Sequence, residues 1–407
     1  MTPLISIVYP TRHRPSYLRE ALRHSLNQSG DFEVVVSDNF VDPTLSCRAA
    51  VESIGGTRVR YVRPPRPLGM VDNWNFALSH ARGQYVLFFT DKTFLLPGTV
   101  SRLIHFLQKV EPEIVNWTCD SFAPTLDAKP FMAGFYAGAR PVGGLAPEKY
   151  VPLDALSFKG RAVVPRSTMS AVDYVRGKIC FGGYRRDLIQ RIEKKYGPLF
   201  KPISPDYTSM ILALSEATSA FDLGWSGSVQ IESNISNGRL CATNDDAAKR
   251  HLEEVGSLGD ITYGGIAPGV YASVSVLVAF DYFNLKSRFN LPFEFDRKRW
   301  LAHAWLELNQ PGKYWSSEET KIAQLRQLKD AIGQLPIDAQ EIFASEYEAP
   351  KSSRRNLRGR LRSWAKKRLA RREFALPLRL AAQAGVLKSM YSNSLDEAVR
   401  LNAGAVT

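Results

Sequence analysis

The residues best suited to chemistry stand at the ends of short apolar runs. Thr11 and Arg14 follow Leu4-Ile5-Ser6-Ile7-Val8-Tyr9, Asp38 and Asn39 follow Phe32 to Ser37, and Asp91 and Lys92 follow Tyr85 to Phe89. Carboxylates accept hydrogen bonds, amides donate and accept them, and Lys or Arg offsets an anion. A fourth acid lies in Ser204-Pro205-Asp206-Tyr207, ahead of a helical run, where it also fits a helix N-cap. The six histidines lack the i, i+4 spacing of a zinc helix. His251 alone is kept as a late metal-ligand candidate, beside its reading as an ordinary helix residue.

The elements that must carry these groups alternate. β-branched runs at 4–9, 32–37, 59–62 and 85–89 are separated by stretches of helical period, among them 17–26 and about 71–81, with another helix around Leu103 to Leu107. Such alternation in units of about thirty residues specifies an α/β domain with a mainly parallel sheet covered on both faces, and such sheets bind ligands at the carboxyl ends of their strands. From about Asp120 to Ser170 a Gly, Pro and Ala-rich stretch reads as long loops or an insertion. Phe181 to Ile192 and Tyr207 to Leu214 read as helices, and no internal repeat is present.

At 407 residues, with 44% apolar and 23% charged positions, the chain is an ordinary folded protein of one large domain with appendages or of two domains. Cys47, Cys119, Cys180 and Cys241 lie too far apart for zinc or redox motifs and are read as free thiols of a reducing compartment. The N-terminus has no secretory pattern, and the longest apolar window, Val270 to Phe280, is shorter than the roughly 20 residues of a membrane span, so a cytoplasmic protein is expected. Nearly all of the net charge of +13 resides in Lys351 to Arg372, which holds eleven Lys/Arg and no Asp/Glu. Leu357, Leu361 and Trp364 recur there at helical spacing, the pattern of a helix lying on an anionic membrane surface; nucleic-acid binding and a solvated basic helix are the weaker alternatives. No G-x-G-x-x-G follows a strand, which argues against a dehydrogenase, and Tyr9-Pro10-Thr11-Arg12 lacks the glycines of a nucleotidyltransferase loop.

Four segments, as an ordered set, resemble the family 2 glycosyltransferases of GT-A fold. They are Ile7 to Pro15 with Tyr17-Leu18; Val35-Val36-Ser37-Asp38-Asn39 with Asp42; Leu68-Gly69-Met70 through Asn73-Trp74-Asn75 to Val86; and Leu95-Leu96-Pro97-Gly98. The likeness is strong over residues 4 to 107 and thinner from 180 to 240. It implies a nucleotide-sugar-binding half at 1–115, an acceptor-binding half at 116–255 and a mainly helical region at 256–407. The implied reaction moves a sugar from a nucleoside-diphosphate sugar to an acceptor hydroxyl with inversion, in surface polysaccharide or glycolipid synthesis, the acceptor being a glycan or lipid-linked glycan. A catalytically silent nucleotide-sugar-binding protein of the same fold is the alternative.

By that resemblance Pro10, Thr11, Arg14, Asp38, Asn39 and Asn73 line the nucleoside pocket, Asp91 lies by the diphosphate, and Asp206 stands where the family places its general base. Relatives carry an aspartate cluster after the fourth strand, and this chain has Thr90-Asp91-Lys92-Thr93. A divalent ion prefers several oxygen ligands, so a manganese or magnesium ion would rest on Asp91, diphosphate oxygens and water, with an ammonium beside it. Lys92 is therefore expected to take over part of the metal's work, the rival reading being that it points away and Asp91 alone anchors the ion.

Overall fold

The computed structural model describes residues 2–126, 130–140, 144–162, 169–232, 237–343 and 390–404. The basic segment Lys351 to Arg372 lies outside the described residues.

The N-terminal half alternates as its apolar pattern requires: β1 (Ile5–Thr11), α1 (Pro15–Leu26), β2 (Phe32–Asp38), α2 (Arg48–Ile54), β3 (Val59–Val62), α3 (Met70–Ser79), β4 (Tyr85–Phe88), β5 (Thr93–Leu95) and α4 (Thr99–Val110). Successive strand side chains point to opposite faces. Ile5, Ile7 and Tyr9 of β1 accordingly enter one core with Leu18 and Leu22 of α1 and Leu103 of α4, whereas Val8 enters the other with Trp74 and Ala77 of α3. β2 and β4 divide the same way, Val34 and Val36 against Val35, and Tyr85 and Leu87 against Val86 and Phe88. β3, β2, β1 and β4 are neighbours in that order and all parallel.

Beyond β4 the sheet becomes mixed. The chain continues through β6 (Ile114–Pro124), β7 (Gly134–Ala137), β8 (Glu148–Tyr150), α5 (Pro152–Ala162), α6 (Ala171–Val175), β9 (Gly182–Arg185), α7 (Arg186–Tyr196), α8 (Pro205–Glu216) and β10 (Ala220–Ile231). The stretch read as loops thus holds the end of β6, the strands β7 and β8 and the helix α5, and the helix expected from Phe181 begins only at Arg186. The reason is tertiary: β9 inserts antiparallel between β4 and β6. A Cβ on Gly182 would meet the Val115 carbonyl oxygen at 1.9 Å, and one on Gly183 the Leu87 side chain at 2.4 Å, so only glycine lets three strands close up there. β10 pairs in parallel with β6 and antiparallel with β5 and β8.

The remaining described chain is helical: α9 (Asn237–Thr243), α10 (Asp245–Glu254), α11 (Leu258–Tyr263), α12 (Val274–Phe289), α13 (Arg297–Leu308), α14 (Glu318–Gly333) and α15 (Ile337–Phe343). The apolar window at Val270 to Phe280 opens α12, whose residues 275–282 are all buried. α8 is enclosed between α5, α7 and α12, with every residue from Thr208 to Leu214 buried. Each large apolar side chain so enclosed contributes about 1.5–3 kcal/mol. That enclosure makes the N-terminus of α8 a fixed point.

The last described segment returns to the N-terminal half. β11 (Met390–Ser392) adds antiparallel to β7, and α16 (Leu395–Gly404) buries Leu395, Ala398 and Val399 in the core that holds α1. Arg23 of α1 meets Asp396 at 2.5 Å. None of the four cysteines forms a disulfide. Among the described residues no helix is long and apolar enough to cross a membrane.

Candidate active site

A cleft of about 860 Å³ lies at the carboxyl ends of β1 and β4, facing the N-terminus of α8, with α9 and α10 on its rim. Pro10, Thr11, Arg14, Asn39, Asn73, Asp91, Lys92 and Asp206 all line it, so eight of the nine residues singled out in the sequence meet at one site. Asp38 is the ninth and sits behind the wall.

Asp91 is 2% exposed and clamped. Thr11 Oγ1 donates to its Oδ2 at 2.8 Å and Arg14 Nη1 to its Oδ1 at 3.2 Å. Lys92 follows, 6% exposed, and has no hydrogen-bond acceptor among the described residues. Burial lowers the Lys92 pKa, the Arg14 charge lowers it further and Asp91 opposes both. These residues do not suit a divalent ion: both oxygens of the single carboxylate are engaged, an ammonium stands beside it, and no three His, Cys, Asp or Glu among the described residues are grouped to hold a metal. They suit an anion better, since Arg14 and Lys92 oppose one buried carboxylate.

Asp38, fully buried, closes β2. Its Oδ2 accepts from Cys47 N at 2.7 Å, Tyr61 Oη at 2.8 Å and Ser46 Oγ at 3.0 Å, while Oδ1 is buried without a hydrogen-bond partner. Asn39 exchanges two hydrogen bonds with the Leu68 backbone, both 2.8 Å, and so fastens the end of β2 to the loop before α3. Asn73 Oδ1 accepts from Ser37 Oγ at 2.7 Å. His13 holds the same region from outside: at φ +59° its Nε2 accepts from Val41 N at 2.8 Å and Asp42 N at 3.2 Å. Trp74 packs on Phe88 and Phe200 and also lines the cleft.

On the opposite wall Asp206 occupies the first turn of α8. The N-cap alternative belongs to Ser204, whose side chain makes no cap hydrogen bond. Pro205 starts the helix with its fixed φ, and a carboxylate in the first turn is favoured by the helix dipole. Asp206 is about one third exposed and lies 3.6 Å from the Nζ of Lys178, which is fully buried. Behind it, Asp281 of α12 accepts from Ile203 N at 2.8 Å and Ser204 N at 2.9 Å. Burial pushes the Asp281 carboxyl up to about 8, against the pull of those two amides. His251 of α10 lines the cleft with Nε2 3.4 Å from the Ile203 carbonyl, and burial lowers its pKa.

Lys178, Asp281, Arg12 and Arg239 went unnoticed in the sequence. Arg12 and Arg239 line the cleft, and Arg12 spans to Glu254 of α10 at 2.6 Å. None of the four sits in a pattern that separates it from a surface residue; only Arg12, inside the Pro10 to Pro15 segment, had a local signal.

A parallel α/β half with its polar residues at the strand ends, set across a cleft from an acid on an enclosed helix, defines a GT-A-type protein. Residues 6–132 match the family model described as Glycosyl transferase family 2. Over 113 residues it is 31% identical to the "Uncharacterized protein y4gI" of Sinorhizobium fredii (strain NBRC 101917 / NGR234), a match that covers 26% of this chain and 12% of that protein. Among solved structures it is similar to S. aureus TarS 1-349 in complex with UDP-GlcNAc, at 14% identity and a TM-score of 0.47, covering 98% of this chain and 90% of that one. The same protein in complex with UDP gives 15% identity and a TM-score of 0.44 over 84% and 91%.

Proposed function

We propose that the protein transfers a sugar from a nucleoside-diphosphate sugar to an acceptor hydroxyl with inversion at the anomeric carbon. The observation that carries this reading is that Asp206 and the pair Arg14 and Lys92 face one cleft from opposite walls. Asp206 takes the acceptor's proton as the acceptor oxygen bonds to the anomeric carbon. The bond from that carbon to the diphosphate breaks, and its electron pair leaves on the diphosphate oxygen. Lys92 and Arg14 offset the charge gathering there, where exclusion of water strengthens the attraction. Thr11, Pro10, Asn39 and Asn73 border the nucleoside, with Asp38 buried behind them.

The acceptor is a glycan or lipid-linked glycan, the site of action the cytoplasmic face of a membrane reached through residues 351–372, and the pathway one of surface polysaccharide or glycolipid synthesis. A second reading, a binding protein without turnover, is favoured by the engagement of both Asp91 oxygens. A panel of nucleoside diphosphates in a thermal-shift measurement separates the cases when followed by nucleotide release from the matching sugar nucleotide. A specific ligand raises Tm by mass action, to the extent of about 2.7 kcal/mol at a hundredfold excess over Kd. Stabilisation with turnover supports transfer, stabilisation without turnover to any acceptor or water supports the binder, and no stabilisation by any base overturns both.

A further inference from the structure

Lys178 is enclosed by chemistry that a structural lysine does not need. Its side chain is fully buried, and its Nζ has no hydrogen-bond partner. It lies instead 3.7 Å from the ring centroid of Tyr207 and 4.1 Å from that of Tyr174, with Asp206 Oδ2 at 3.6 Å. An ammonium out of water is costly unless opposite charge and polarisable faces compensate it, and here two aromatic faces and one carboxylate do so.

The cage is built from several directions. Asn116 of β6 donates from Nδ2 to the Lys178 carbonyl at 3.0 Å and to the Phe181 carbonyl at 3.3 Å, fixing the backbone that carries the lysine. Lys159 of α5, itself buried, donates to the carbonyls of Asp173 and Tyr174, and so anchors α6 with its ring. Tyr207 is the neighbour of Asp206 on α8.

We infer that Lys178 is a positioning residue for Asp206, holding one carboxylate oxygen at the aromatic cage so that the other is presented to the acceptor hydroxyl in the cleft. This rests on the reading of Asp206 as the general base. Asp206 is faced by Asp281 and Tyr282 of α12, His251 of α10, Cys180 after the lysine, and its own neighbour Tyr207. Lys178 is the cation in contact with Asp206 among the described residues. Without it, Asp206 loses the opposite charge beside it and its fixed orientation.

The test compares kcat and KM across pH for Lys178→Met, Lys178→Arg and Asp206→Asn in the full-length protein, with a nucleotide sugar found by the screen above. Lys178→Met is expected to move the acid limb of kcat upward by about 1–3 pH units and to lower kcat at pH 7 on the order of tenfold or more, with donor KM within a few-fold and Lys178→Arg restoring the profile in part. Should the methionine variant not fold, Lys178→Gln, which removes the charge and keeps polarity, carries the same test. A Lys178→Met enzyme with unaltered rate and profile, beside an inactive Asp206→Asn enzyme, overturns this role and leaves the base assignment standing. Full turnover in Asp206→Asn overturns the base assignment and this role with it.

Discussion

Thr11 at the end of β1 and Asp91 after β4 are joined by a 2.8 Å hydrogen bond that is buried on both sides. This bond, with Arg14 on the second oxygen, makes the surviving carboxylate of the Thr90-Asp91-Lys92-Thr93 run part of the scaffold of the cleft. Removing the partner of a buried charge is more disruptive than removing both, so the clamp behaves as a unit.

With Arg14 held on Asp91, the proposed reaction rests the larger share of the departing diphosphate's charge on the buried Lys92. Activity is therefore expected to persist, at half the untreated rate or more by rough expectation, in an excess of chelator, while Lys92→Ala should lose on the order of 10² to 10³ in kcat. Steady-state rates with and without chelator decide this. Abolition by chelator with rescue by manganese or magnesium, together with an unaffected Lys92→Ala enzyme, would show that a metal does the work.

In the proposed reaction Asp206 accepts the acceptor's proton from the wall opposite Asp91 and Lys92. Asp206→Asn should lower transfer on the order of 10² to 10⁴ and leave nucleotide affinity within a few-fold. Turnover and a binding isotherm on the same preparation check both halves, and wild-type turnover would refute the role.

Asp281 gives stability a pH dependence of definite sign. Its carboxyl titrates at about 8 when folded, against about 3.9 in an unfolded chain. Between those values the folded state keeps a proton that the unfolded state has released. Its stabilising share is thus fully present below about pH 4 and is lost as pH rises towards 8, with a limiting slope of about 1.4 kcal/mol per pH unit. Denaturation midpoints should fall between pH 5 and 8, and Asp281→Asn, neutral and still an acceptor for one amide, should flatten the fall. A slope equal to the parent's would assign the dependence to other groups.

Residues 351–372 are expected to bind anionic membranes. Co-sedimentation with vesicles containing phosphatidylserine should fall when the segment is deleted and weaken with salt, each Lys or Arg near the surface contributing about 1 kcal/mol. Retention by the deleted chain, or an absence of binding by the intact one, would count against it.

The sequence by itself determined what is local. Alternation in Ile5, Ile7 and Tyr9 against Val8 set the two faces of β1, because the strand period is two whatever the strand packs on. The polar residues at the ends of β1, β2 and β4 were legible for the same reason, since a strand end is marked by where its apolar run stops. Tertiary structure decided what depends on distant segments meeting. Gly182 and Gly183 read as part of a helix from Phe181 and are a strand, because three backbones converge there. Asp38 read as open to ligand and gives one oxygen to three donors from residues 46, 47 and 61. Lys178 had no signal at all: a lysine becomes buried only when charge and aromatic faces from other elements compensate it, and neither its neighbours nor its spacing records that they do.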